Sequence, residues 1–133
     1  MYGASIGLRP QSSAKLITRI KEGLPVKAFD RLCRNLDLSE KALARSLNIA
    51  VSTLARRKKS GRLTFEESER VYRIARLYDR ALEVFNDREM ARAWLNEPAW
   101  ALGDVPPLAY AETELGAQEV YDLLGRLEHG VFT

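Results

Sequence analysis

Apolar residues return along this chain with the three- and four-residue spacing of an α-helix, and nowhere alternate for a useful length with the period of two that marks a strand. The pattern predicts an all-α chain. Ser12 or Ser13 is placed to cap a first helix carrying Leu16, Ile17 and Ile20, which Gly23 and Pro25 end. A second helix shows Val26, Phe29, Leu32, Cys33 and Leu36, and Ser39 caps a third with Leu43, Ala44 and Leu47 on one face. Asn48 suits the left-handed conformation that stops it, and Ser52 stands where a cap for the next helix is needed. That helix reads Thr53-Leu54-Ala55-Arg56-Arg57-Lys58-Lys59 before Ser60-Gly61. Leu54 and Ala55 are expected to face inward while four consecutive cations project outward.

Thr64-Phe65-Glu66-Glu67 has the form of a capping box and opens the longest helix. Val71, Ala75, Tyr78, Leu82 and Phe85 recur along it as a stripe expected at the centre of a bundle, with Arg70, Arg73, Arg76 and Arg80 on its other faces, solvated, paired or adding to a phosphate-facing surface. Asp87 caps a helix holding Met90, Ala91, Trp94 and Leu95, which Pro98 ends. Residues 98–103 are too apolar for a flexible linker, so Trp100 and Leu102 are expected to tuck against the helices while Gly103 turns. Trp94, Pro98, Gly103 and Pro107 are likewise read as shaping the domain. Pro106-Pro107 starts a helical turn, and Thr113 caps a last helix with Ala117, Val120, Leu123, Leu124 and Leu127 inward. Gly130 follows its end, leaving Val131 and Phe132 as a short apolar tail. The first dozen residues carry no clear signal of order.

At 133 residues, 46% hydrophobic and 29% charged, the chain suits one ordinary domain or two very small ones. Arg9, Pro10, Gln11 and Lys15 interrupt the place where a signal peptide's apolar core would lie, and no stretch is apolar enough to span a bilayer, so a cytoplasmic location without membrane contact is expected. Cys33 and His129 are each the only residue of their type, which argues against disulfides and a soft-metal site and makes Cys33 a small core residue. No paired nucleophile and base, glycine-rich phosphate loop or metal-ligand cluster supports catalysis, and no cofactor is implied.

Charge divides the chain in two. Residues 1–80 hold 18 Lys and Arg against 8 Asp and Glu, a net +10, whereas residues 81–133 hold 3 against 10, a net −7. The first part attracts polyanions; the second is repelled by them and implies a different partner. We therefore divide the chain into a basic helix-turn-helix region, 1–80, and an acidic helical region, 81–133. Ser52, Thr53, Arg56 and Arg57, at and near the start of the helix after the turn, are candidates for base edges, while Lys58, Lys59 and Arg62 are placed to neutralise phosphates. Ala44, Leu47, Ile49 and Leu54 resemble the apolar positions of a lambda-repressor-like helix-turn-helix. The chain departs from it at Asn48, where glycine is usual, and at Arg57, where an apolar residue is usual.

The order of motifs along the chain resembles the Xre antitoxins of RES-Xre toxin-antitoxin systems. It rests on Gly-Leu-Pro at 23–25, Thr-Leu-Ala-Arg-Arg-Lys at 53–58, Gly-Arg-Leu at 61–63 and Glu-Ser-Glu-Arg at 67–70. In the second half Trp94-Leu95, Pro98, Ala101-Leu102-Gly103, Pro107-Leu108, Thr113, Gly116-Ala117, Val120, Leu124-Gly125-Arg126 and Gly130-Val131 resemble the toxin-binding domain shared by the antitoxins Xre, MbcA and ParS. Departures are Asp104, where a second glycine is common, and Ala109-Tyr110-Ala111, where leucine is.

The resemblance implies a lambda-repressor-like bundle joined by the long helix to a small helical toxin-binding and dimerisation domain. It also implies a RES-domain toxin partner that consumes NAD⁺, operator DNA as a second partner, and a homodimer without catalytic activity of its own. Family members place C-terminal segments at the mouth of the toxin's active site, which makes Arg126, Glu128, His129, Gly130, Val131 and Phe132 the candidate toxin contacts. Glu128 is the carboxylate best placed to meet a cation that normally binds a pyrophosphate; the alternative is that Glu128 and His129 only complement the helix end. A stand-alone repressor is the second reading, though it leaves the acidic half without a role, and an enzyme a distant third.

Overall fold

In the computed structural model of the chain, which describes residues 2–130, eight α-helices and two single 3-10 turns make up the regular structure of the described residues. No strand occurs among them. The helices are α1 (Ser13–Glu22), α2 (Val26–Leu36), α3 (Glu40–Ser46), α4 (Val51–Ser60), α5 (Phe65–Phe85), α6 (Arg88–Asn96), α7 (Pro107–Tyr110) and α8 (Glu114–Glu128).

Side-chain caps fix five of these starts. Ser12, Ser39, Thr64, Asp87 and Thr113 each accept a backbone N–H from the first turn of the helix they precede. α1 ends at Gly23, whose φ of 97° and whose distance of 2.1 Å from a built Cβ to the Leu63 carbonyl oxygen both exclude a side chain. There the segments 23–26 and 61–63 brace each other: Leu63 N–H donates to Leu24 O (2.9 Å), Val26 N–H to Gly61 O (3.0 Å) and Arg62 Nη1 to Gly23 O (2.8 Å). α3 stops at Asn48, in the left-handed conformation at φ 56°, and Ile49 then folds into the core with its N–H on Ala44 O at 2.8 Å.

The start of α4 corrects the expectation for Ser52. Because Ile49 is pulled inward, Ala50 is left extended as the N-cap and the helix begins at Val51, so Ser52 lies inside the first turn, exposed. Ala55 also faces solvent. The helix enters the core through Leu54 and turns Arg57 the same way, so the expected inward Ala55 and the expected row of four outward cations are both revised.

α5 is the spine. Its capping box forms as expected, and it buries Val71, Ile74, Ala75, Leu77, Tyr78 and Ala81. The buried surface is wider than the predicted stripe because α1 and α2 pack on it as well as α6 and α8. The N-terminal segment is ordered against the same helix. Ile6 and Leu8 are buried, Gly3 N–H donates to Asp79 Oδ2 at 2.6 Å, and Asn35 on α2 holds Ser5 O at 3.1 Å.

Beyond α6 a tight loop forms around Leu102, with Ala99 N–H on Val105 O (3.2 Å), Asp104 N–H on Ala99 O (2.9 Å), and Gly103 and Asp104 both left-handed. A left-handed Asp104 occupies a conformation that glycine adopts without strain. Leu102 is buried, but Trp100 is 78% exposed, against the expectation that both tuck in. Each residue of a 3-10 turn is rotated by about 120° from the last, so Trp100 and Leu102 lie on different sides, and anchoring Leu102 leaves Trp100 facing solvent. Gly116 lets α8 close on α7: a Cβ there lies 1.8 Å from Tyr110 O.

The first turns of α5 bind the helix-turn-helix at two points and the connection between α1 and α2 at a third. Glu67 accepts from Arg57 Nε at 2.7 Å and from Thr64 N–H at 2.9 Å; Ser68 Oγ, fully buried, accepts Leu24 N–H at 2.7 Å; Arg70 Nη1 reaches Leu47 O at 3.3 Å. Burial raises the Glu67 carboxyl, but the donors Arg57 and Thr64 outweigh it and hold it below its ordinary value. A depressed carboxylate stabilises the fold in full above the ordinary value of 4.5 and loses that contribution as pH falls through the lower folded value.

Arg57→Leu alone therefore leaves the Glu67 charge without its main partner and lowers Tm by roughly 5 °C. Adding Glu67→Gln, which keeps the capping-box acceptor, recovers most of that loss and flattens the fall in Tm between neutral pH and about pH 3. Thermal melts of the three chains across that range check both points.

Candidate functional site

Two surfaces carry the candidate residues. On α4 the exposed face is formed by Ser52, Ala55, Arg56 and Lys59, at the i, i+3, i+4 and i+7 positions of one helical stripe. Thr53, half-buried, accepts from Arg56 Nη2 at 3.3 Å, which draws the guanidinium toward the start of the helix. The remaining cations are engaged within the chain. Arg57 turns inward to Glu67, Lys58 pairs with Glu40 at the start of α3 while staying at the surface, and Arg62 holds Gly23 O. Of the seven predicted DNA contacts, Ser52, Arg56 and Lys59 are thus presented together, Thr53 orients one of them, and Arg57 is a structural anchor. Arg57 fills the apolar position of the motif because Glu67 supplies the charge it needs.

Ala50 caps α4 without a side-chain bond, so the first N–H groups of the helix remain open at the same end. Backbone donors at a helix start, with Arg56 and Lys59 on the outer face, can hold phosphate oxygens, while the first turn reaches base edges.

The second surface lies on α8, which runs alongside α5 in the same direction. Arg73 Nε donates to Glu114 Oε2 at 3.0 Å, Arg76 stacks over the Tyr121 ring at 4.1 Å, and Arg80 grips Glu128 in a two-pronged pair at 2.7 and 3.1 Å. The arginines recur on α5 at i, i+3 and i+7; their partners on α8 recur every seven residues. These residues knit the acidic half to the basic one and do not extend a phosphate-facing surface. The Tyr121 hydroxyl also meets that of Tyr2 at 3.2 Å, so the N-terminal segment joins the same cluster. Nothing in residue spacing pointed to Tyr121, because its partners come from two distant segments.

Arg80 holds the Glu128 carboxyl below its ordinary value, so it is an anion already paired within the chain. Arg126 and His129 are exposed and line one shallow hollow with Tyr121, Asp122 and Gly125. Gly130 follows in the left-handed conformation. Val131 and Phe132 lie outside the described residues.

Trp100 is the large apolar side chain that sequence reasoning placed on the wrong side. It is an open aromatic side chain of the type enriched at protein interfaces, and Met90 on α6 is also 55% exposed. The alternation of Ala99, Trp100, Ala101 and Leu102 was a usable signal, once read with the period of a 3-10 turn. Burial raises the Cys33 thiol to about 11, which keeps it an inert core group. Among the described residues no group of three or more His, Cys, Asp or Glu side chains is arranged to hold a metal ion. No helix among them is long and apolar enough to cross a membrane.

These features define a helix-turn-helix protein with a second, helical domain that exposes a large aromatic side chain. Residues 15–76 match the antitoxin Xre-like helix-turn-helix domain, and residues 80–130 match the antitoxin Xre/MbcA/ParS C-terminal toxin-binding domain. A protein named antitoxin Xre from Yersinia enterocolitica is 39% identical over 130 residues, covering 96% of this chain and 88% of that one. Another antitoxin Xre, from Photorhabdus laumondii, is 33% identical over 129 residues, covering 96% and 87%. A protein named Prs ADP-ribosylating antitoxin, from a Sphingobium species, is 27% identical over 123 residues, covering 85% and 77%. The chain belongs to the antitoxin Xre family.

An exposed Trp100 makes a clear prediction. Trp100→Ala leaves Tm within about 1 °C of the parent chain, whereas Leu95→Ala, at a fully buried site, costs on the order of 2 to 5 kcal/mol and lowers it by many degrees. Paired thermal melts decide between the two placements of the tryptophan.

Proposed function

We propose that this chain neutralises a RES-domain, NAD⁺-consuming toxin by occluding its active site with the C-terminal segment, and that it binds operator DNA to regulate its own operon. It acts in the cytoplasm as a homodimer within the toxin-antitoxin complex and catalyses nothing itself. What carries this reading is the joining, on one unbroken α5, of a helix-turn-helix with a free outer face to an antitoxin toxin-binding domain. The name of the Sphingobium relative speaks of ADP-ribosylation, and the ADP-ribosyl unit of NAD⁺ supports a toxin of that chemistry here.

In this reading Arg126, His129, Gly130, Val131 and Phe132 meet the toxin, and Trp100 anchors the flanking surface. Glu128 has two ways to serve. Paired with Arg80 it aims the end of α8; by exchanging Arg80 for a toxin cation it joins the contact directly. On the DNA side Ser52, Thr53 and Arg56 face the bases and Lys59 a phosphate, with Lys58 and Arg62 at the margin and Arg57 holding the helix in place.

Co-expression with the RES-domain toxin encoded beside it tests the first part. The full chain is expected to restore growth and the NAD⁺ level, while a chain ending at Gly130, which keeps the Arg80–Glu128 pair, still binds the toxin and restores neither. Equal rescue by both moves inhibition to the helical surface; failure of the full chain removes the RES toxin as partner. For the second part, Lys59→Ala is expected to weaken DNA binding for all sequences alike and to reduce the slope of log affinity against log salt by about 1. A salt titration of both proteins measures it.

A further inference from the structure

The ten residues of α4 sort by what the fold already uses. Leu54 is core, Arg57 is held by Glu67, and Lys58 meets Glu40. At the tip of the helix three small apolar residues stay in solvent: Ala50 at the cap, Val51, which is 58% exposed, and Ala55 one turn on. An exposed valine alone needs no explanation. Here it sits at the first position of the second helix of a helix-turn-helix, the end that meets base edges, in the most basic stretch of the chain.

The floor of the major groove offers one apolar group, the C5 methyl of thymine, while guanine offers two acceptors, N7 and O6, that an arginine guanidinium spans. We infer that the first two turns of α4 read a thymine close to a guanine, Val51 with Ala55 covering the thymine methyl and Arg56 pairing with the guanine. This rests on the operator-binding part of the proposed function and deepens it from DNA to a stated pair of bases.

Two details support the assignment. Helical side chains tilt toward the N-terminus, and the bond from Arg56 Nη2 to Thr53 draws that guanidinium the same way, toward Val51. Val51 and Arg56 are separated by about 7.5 Å along the helix axis. At about 3.4 Å per base step, the two bases fall within roughly three pairs of each other. Ser52, between them, donates or accepts and so fits either neighbour. Val51 and Ala55 both lie at the surface, so their replacement is expected to leave the protein folded.

The test uses the full chain and a pool of duplexes with a randomised centre, selected at one fixed salt concentration. In the selected duplex each thymine is then replaced singly by deoxyuridine, which removes only the methyl, and each guanine by 7-deazaguanine, which removes only N7. The expected result is one thymine per half-site whose replacement weakens binding about fourfold, the worth of one buried methyl-sized group. A guanine within roughly three pairs of it loses about tenfold. The deoxyuridine effect vanishes for Val51→Ser and the 7-deazaguanine effect for Arg56→Ala, with melts confirming that both variants fold. Sequence-specific binding with no sensitivity to the thymine methyl, or an undiminished sensitivity in Val51→Ser, overturns this inference alone. Affinity no greater for the selected duplex than for the starting pool overturns it together with the operator-binding part of the proposed function.

Discussion

The structure depends on one nearly buried carboxylate. Glu67, 6% exposed, closes the first turn of α5 as a capping box and at the same time neutralises Arg57, which turns inward from the helix that faces solvent. Left without its arginine, the carboxylate in that position is a destabilising charge. Pairing it therefore fixes two things together: where the spine begins, and the rotation of α4 about its own axis. Ser68 and Arg70, on the same turn, add a bond to Leu24 N–H and one to the Leu47 carbonyl. The run 67–70 is thus a bracket that holds the helix-turn-helix and the connection between α1 and α2 on α5.

The same helix repeats the device at its other end. Arg80 binds Glu128 as Glu67 binds Arg57, and Arg73 and Arg76 hold Glu114 and Tyr121 between them. The opposition of net charge between the halves is therefore partly spent inside the molecule. With α5's arginines engaged, Arg56 and Lys59 remain among the exposed cations, on the outer face of α4. A count of charge per segment could not separate these uses, because an arginine's partner is set by helix packing over some forty residues of separation, not by its neighbours in sequence.

What was legible in the chain was local. Ser12, Ser39, Thr64, Asp87 and Thr113 cap helices as their positions indicate, and Asn48 turns where a left-handed residue was required. Each is decided within four or five residues. The errors share the opposite property. Ser52 lost its capping role because Ile49 is drawn to Ala44; Ala55 faces out because Arg57 is drawn to Glu67; Trp100 faces out because Leu102 is drawn in. The order of the N-terminal segment, likewise, is owed to Asp79 and Asn35, far along the chain.

The candidate surfaces inherit this division. The outer face of α4 follows from helical period once the rotation of the helix is known, and that rotation depends on Glu67. The end of α8 follows from its cap and length, but its aim depends on Arg80. From Glu67 to Arg80 the unbroken α5 separates these two fixings by about 20 Å along its axis. That distance exceeds the width of a helix, so the outer face of α4 and the end of α8 are separate patches at opposite ends of one spine. The spine converts two ion pairs into two separately addressed surfaces.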